Sequence, residues 1–160
     1  MNILFSDLDN TLIYSHHREL DALKIVAEHL DGREQSFITR FTYEYLVGVD
    51  WLNVVPVTTR TEQQYKRIEI SDVLRFKYAI ICNGGKLLID GREDKKWSDE
   101  TFRMVNDYSK SVEEAAKLLG GLCGNEIVHI PEKYICYSKI DNPEFVKDIL
   151  NRELNLNEVN

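Results

Sequence analysis

Two carboxylates, Asp7 and Asp9, stand two residues apart directly after the apolar run Ile3-Leu4-Phe5. Charges seldom follow a buried strand so closely. One reading is an Asx-rich turn, in which each side chain bonds its own backbone. The other is metal-assisted phosphoryl transfer. Acids at i and i+2 on a strand entering a loop both face one pocket, while Leu8 between them points into the core. Asp7 is then placed to attack phosphorus, as carboxylates do when they form aspartyl-phosphates. Asp9 is placed to protonate the leaving oxygen and later to deprotonate the attacking water. Thr11, one step into the turn, braces the loop. Carboxylates with backbone carbonyl and water suit octahedral Mg²⁺, so Asp7 and Asp9 are also the metal candidates.

Such residues need strands to carry them. Ile3 to Phe5 reads as a strand buried on both faces of a parallel sheet. Asp31-Gly32, between two β-compatible runs, predicts a hairpin with a type I′ turn, with a helix through "DALKIVAEHL" competing for its first arm. Thr39 caps a helix over "TRFTYEYLVG" that stops near Gly48. "WLNVVPVTT" is a strand with Pro56 close to its C-terminal end, because proline removes a ladder donor. "TEQQYKRIEIS" follows as a helix capped by Thr61, and Tyr78 to Cys82 as a third strand, ending in Asn83-Gly84-Gly85. This alternation predicts an α/β fold with a mostly parallel sheet, whose ligands bind beyond the carboxyl ends of the strands. Asp7, Asp9, Thr58 and Asn83 all fall just past such ends.

Beyond about residue 90 the pattern changes to a second, α+β unit. "KLLIDG" is a short hairpin arm, and "SDETFRMVNDYSKSVEEAAKLLGG" is helical, with Ser111 and Glu114 at capping-box spacing. "EIVHI" and "KYICYSK" alternate as strands around Pro131-Glu132. Asn142 and Pro143 open a last helix.

The 160 residues carry 20 Lys and Arg against 27 Asp and Glu, a net charge of -7. That balance speaks against a nucleic-acid face and suits an anionic phosphate ester only with a bridging cation. The chain is 43% hydrophobic, enough for a real core. Cys82, Cys123 and Cys136, an odd number without CxxC spacing, read as reduced thiols of a cytoplasmic protein. No stretch is long enough for a membrane span, and no signal peptide is discernible.

"DLDNTL" after an apolar strand resembles the DxDxT motif of haloacid dehalogenase-type (HAD) phosphatases. The resemblance implies nucleophile and acid/base roles for Asp7 and Asp9, with Thr11 at the motif threonine. "VVPVTTR" is similar to the family's second motif, whose hydroxyl binds the transferring phosphoryl group. That implies phosphate contacts from Thr58, with Thr59 where many members carry Gly, and Arg60 following as a substrate-contact candidate. "AIICNGGKLLIDG" resembles the segment leading into the α/β cap of the Cof-like, C2-capped branch, which includes sugar-phosphate phosphatases. Asn83 and Gly84 are then substrate-contact candidates. The implied architecture is a Rossmannoid core over residues 1–90 and a cap over 91–160. The substrate implied is a small-molecule phosphate ester, with Mg²⁺ as cofactor. The family also uses a third-motif lysine and a fourth-motif acidic pair, which come after the cap and have no counterpart in this chain. A phosphatase and a catalytically incomplete phospho-ligand-binding module are therefore both expectations. A parallel sheet without its closing strands would also keep an unpaired edge.

Simpler roles stand beside these. Thr58 can cap the following helix, Arg60 can be a solvated helix-start residue, and Asn83-Gly84-Gly85 can be a plain turn. His16 and His17 read as a solvated loop, Cys82 as packed core, and "REDKKW" as a solvated face with Trp97 docking the cap.

Overall fold

The computed structural model describes residues 2–74, 76–106, 108–123, 128, 136–138 and 140–154. Two compact units divide the chain, Met1–Ser98 and Asp99–Asn160.

The first unit is α/β. β1 (Asn2–Asp7) runs parallel to β5 (Leu52–Val57) with Asp7 opposite Val57, and β5 runs parallel to β6 (Tyr78–Ile81). β7 (Lys86–Ile89) and β8 (Arg92–Glu93) extend the sheet antiparallel, in the order β1-β5-β6-β7-β8. The predicted strands are therefore present, but the sheet is mixed. Asp90 and Gly91, both at positive φ, make the tight turn that returns β8 along β7. Pro56 sits one residue before the end of β5, as its missing N–H requires.

One expectation fails. Ile3, Leu4 and Phe5 are exposed, Phe5 by 62%, although a strand buried on both faces was predicted. β1 is an edge strand paired only with β5 among the described residues, and along it only Ser6 is half-buried.

The Asp31-Gly32 hairpin forms as the sequence predicts. Asp31 and Gly32 take φ of 51° and 73°, joining β3 (Lys24–Leu30) to β4 (Arg33–Thr39). β2 (Tyr14–Ser15) adds to β4, giving a three-stranded sheet in the order β2-β4-β3. The competing helix is absent because Ala27, Phe37 and Ile38 bury completely or nearly so on the paired arms. Thr39 then caps α1 (Arg40–Gly48) by accepting from the Thr42 N–H.

α2 (Glu62–Tyr65) is a single turn with a full capping box between Thr61 and Gln64. The predicted longer helix stops there. Ile68 bridges to Glu28 of β3, and the Glu69 N–H donates to the Ala27 carbonyl at 2.9 Å, so pairing with the hairpin displaces helical bonding.

The second unit is described mainly through helices. α3 (Lys95–Asn106) begins before the division, and α4 (Ser109–Cys123) and α5 (Pro143–Glu153) follow it. α4 starts at Ser109, whose hydroxyl bonds the Asn106 carbonyl, so Ser111 lies inside the helix and does not cap it. Asn142 caps α5 at 3.2 Å from the Phe145 N–H, with Pro143 in the first turn as predicted. The predicted strands around Pro131-Glu132 fall mostly outside the described residues. No helix among the described residues is long and apolar enough to cross a membrane.

Tyr65, at the end of α2, is buried, and this burial, reinforced by the charge of Asp72, pushes its phenol up to about 12. An unfolded tyrosine ionises near pH 10, so between those values the unfolded chain releases a proton that the folded chain retains. Stability is thus full below about pH 10 and falls as pH rises toward about 12, by roughly 1 kcal/mol per pH unit. Urea unfolding at about pH 9 and about pH 11 should show this loss, and Tyr65→Phe should make the alkaline slope shallower. Equal slopes in the two proteins would contradict the assignment.

Candidate functional site

The Asp7–Asp9 segment is held by a wound turn. The Leu8 carbonyl accepts from the N–H groups of Leu12 and Ile13 at 3.0 and 2.9 Å. Asn10 adopts a left-handed φ of 61° and donates its N–H to the Ile13 carbonyl at 2.7 Å. Leu8, Leu12 and Ile13 are all buried, so the turn is pinned by its apolar side chains. Asp7 remains exposed and the Asp9 side chain 46% exposed. Leu8 is buried between the two acids as expected, but of the two only Asp7 lines the open cavity beyond the strand ends, while Asp9 bonds Arg60 through both oxygens. The Thr11 hydroxyl donates to Asp7 Oδ2 at 3.3 Å, a long bond that braces the nucleophile candidate weakly.

The ends of β5 and β6 are stitched together by backbone. The Thr58 N–H donates to Ile80, the Asn83 N–H returns to the Thr58 carbonyl, and the Cys82 N–H bonds the Arg60 carbonyl. Cys82, Asn83 and Gly84 all take positive φ, at 52°, 55° and 91°. Each such conformation costs a residue with a Cβ about 1–2 kcal/mol, and strain of this kind gathers at ligand sites. Thr58 is buried, and its Oγ1 accepts from the Arg60 N–H at 3.2 Å. Trp97 Nε1 donates to the Gly84 carbonyl at 2.9 Å, tying the start of α3 to the strained turn. An open cavity of ≈ 450 Å³ is lined by Phe5, Ser6, Asp7, Val57, Thr58, Thr59 and Asn83. Four candidates from three strand ends, Asp7, Thr58, Thr59 and Asn83, thus share one cavity. A second cavity, of ≈ 380 Å³ beside Tyr65, Asp72 and Lys77, contains none of the candidates.

Arg60 turns away from a merely solvated role. Its Nε and Nη2 each donate to one oxygen of Asp9, both at 2.9 Å, a side-on bidentate pair. Its Nη1 bonds Glu28 Oε2 at 3.0 Å and the Gln64 carbonyl at 3.3 Å, and its side chain is 14% exposed. Burial pulls the guanidinium pKa down, yet the bonds and charges of Asp9 and Glu28 outweigh it and leave it raised. Glu28 is fully buried, and it also accepts from the Ser36 hydroxyl at 3.0 Å and from Arg67 Nε at 2.9 Å. The sequence reading missed Glu28, Ser36 and Arg67. The signal for Glu28 was an acid between Val26 and Leu30 in alternating register, where a polar solvent face or an apolar core face would be uniform. A bulge flanking Glu28 sets its position in the hairpin.

His16 and His17 lie on the exposed loop, where His16 Nδ1 pairs with Glu34 at 3.2 Å. Among the described residues, no three His, Cys, Asp or Glu side chains group closely enough to hold a metal. Of the two acids expected to hold Mg²⁺, Asp7 is exposed at the cavity and Asp9 is bonded through both oxygens to Arg60.

Replacing the Thr58 hydroxyl tests how the β5 end is held. Thr58→Val should cost about 1 kcal/mol in urea unfolding by orphaning the Arg60 N–H, and Thr58→Ser should recover most of it. Equal losses for both variants would place the cost in packing. No family model and no curated protein matches the chain, and its functional reading rests on this geometry.

Proposed function

We propose that the chain carries the site of a Mg²⁺-dependent phosphomonoester hydrolase of HAD type, acting through an aspartyl-phosphate on a small metabolite such as a sugar phosphate. The observation that carries the reading is the convergence of Asp7, Thr58, Thr59 and Asn83 on one cavity beyond the strand ends. In this reading residues 1–90 are the N-terminal part of a Rossmannoid core and residues 91–160 belong to a C2-type cap.

An Asp7 oxygen bonds to phosphorus as the ester P–O bond breaks, and Asp9 passes a proton to the departing oxygen. In the second half Asp9 takes a proton from water, the water oxygen bonds to phosphorus, and the bond to Asp7 breaks to release phosphate. The Thr58 oxygen accepts from backbone, which leaves its hydroxyl proton for a phosphoryl oxygen. Thr59 and Asn83, both exposed and lining the cavity, would contact the substrate, with Gly84 following Asn83 on the strained turn. Bound Mg²⁺, held by Asp7 and Asp9, would neutralise charge between Asp7 and the phosphate.

A second reading is a module that binds a phosphorylated ligand without turning it over. The placement of Asp9 favours it, because the side chain faces Arg60 and does not line the cavity that Asp7 lines. Isothermal titration with Mg²⁺ and a sugar phosphate beside a turnover assay separates the two, since binding without turnover selects the module.

Asp7→Asn should lower Mg²⁺-dependent hydrolysis of a phosphomonoester by at least about 10³-fold, while leaving the circular dichroism spectrum and urea midpoint near those of the wild type. The change removes the nucleophile and almost no volume. Wild-type turnover in this variant would exclude Asp7 as nucleophile.

A further inference from the structure

The buried Glu28 carboxylate has no part in the proposed reaction, yet it accepts three side-chain hydrogen bonds. Its Oε2 accepts from Ser36 and Arg60, and its Oε1 accepts from Arg67. Arg60 is gripped from the far side by Glu28 and the Gln64 carbonyl, both on Nη1, which leaves Nε and Nη2 as a fork directed at Asp9. We propose that Glu28 and Arg60 are positioning residues that hold the Asp9 carboxylate in a single orientation for proton transfer. The proposal rests on the phosphatase reading for what Asp9 does.

A carboxylate has about four lone-pair sites, and the fork occupies two of them. With the Asp9 side chain 46% exposed, its remaining sites stay open to a leaving oxygen or to water. A lone Arg–Asp pair at a surface would be weak and mobile. Here the arginine cannot wander, because its third nitrogen is fixed to a fully buried acid that is itself fixed by Ser36 and Arg67. Orientation therefore passes from the β3–β4 hairpin through Glu28 and Arg60 to Asp9. Lysine cannot take the place of Arg60, since a single ammonium cannot present a planar fork to one acid and a third donor to another.

The test uses the full chain, with Glu28→Gln and Arg60→Lys as the variants. Glutamine keeps the shape of Glu28 and drops its charge. Arg60→Lys leaves Glu28 bonded to Arg67 and Ser36, and so serves if the first variant fails to fold. The readout is kcat/KM, which reports steps up to phosphoenzyme formation, on glycerol phosphate and on p-nitrophenyl phosphate. An alkoxide leaving group needs the proton from Asp9 and a nitrophenolate hardly does. Both variants should lose about tenfold or more on glycerol phosphate and several-fold less on p-nitrophenyl phosphate. The same loss on both substrates would overturn the proposal, because a merely structural role lowers both together.

A readout without turnover separates this proposal from the reading beneath it. The Arg60 Nε–H, followed by ¹⁵N NMR, should exchange with solvent slowly in the wild type and several-fold faster in Glu28→Gln. Unchanged exchange would overturn the positioning role whatever the activity. Absence of wild-type turnover together with faster exchange in Glu28→Gln would reject the phosphatase reading, and with it proton transfer by Asp9, and leave only the Glu28-to-Arg60 hold standing.

Discussion

A carboxylate with no exposure to water must be surrounded by donors, and Glu28 draws its donors from separate parts of the chain. Ser36 comes from the facing hairpin strand, Arg60 from the loop after β5, and Arg67 from the turn after α2. Desolvating a charge costs several kcal/mol, so the arrangement is tolerable only when all three donors are in place. That requirement couples the hairpin to the sheet. The same region is joined by backbone where Glu69 bonds Ala27, and by the His29–Glu69 pair at 2.8 Å. The placement of Asp9 follows from it, since the arginine that meets Glu28 is the one that meets Asp9.

The cavity side depends on a different constraint. Parallel pairing of β1, β5 and β6 brings three strand ends level, and the chain must then leave each strand sharply without closing over the opening. After β1 the exit is the Leu8–Ile13 turn, closed by backbone bonds and three buried aliphatic side chains around Asn10. After β6 the exit is the left-handed run Cys82-Asn83-Gly84, fastened by the Trp97 indole. Strained exits of this sort place backbone and side chains where regular structure could not, which is why such conformations concentrate at ligand sites.

Local signals in the sequence were the ones that translated directly. Asp31-Gly32 set the hairpin because few residue pairs take two positive φ values in succession. Thr39, Thr61 and Asn142 marked helix starts because their side chains satisfy orphan N–H groups within three residues. Of the four residues expected past the strand ends, Asp7, Thr58 and Asn83 were legible because strand ends in such sheets converge, whereas Asp9 pairs with Arg60 and does not line the cavity. What was illegible depended on distant partners. The short α2 follows from Ile68 and Glu69 pairing with the hairpin, which no local window contains. The exposure of Phe5 depends on which elements pack on the faces of β1, which no local window contains. Glu28, Arg60 and Arg67 meet across 32 and 39 positions of sequence, and only the folded chain reveals them as one network.

The most direct measurement is chemical trapping of the acyl phosphate. The protein would be mixed with Mg²⁺ and a phosphomonoester, quenched, and reduced with borohydride, which converts a phosphorylated aspartate to homoserine. Peptide mass spectrometry should find homoserine at position 7 and nowhere else, dependent on both Mg²⁺ and ester. Hydrolysis of the ester with Asp7 unmodified, or a label on another carboxylate, would contradict the account.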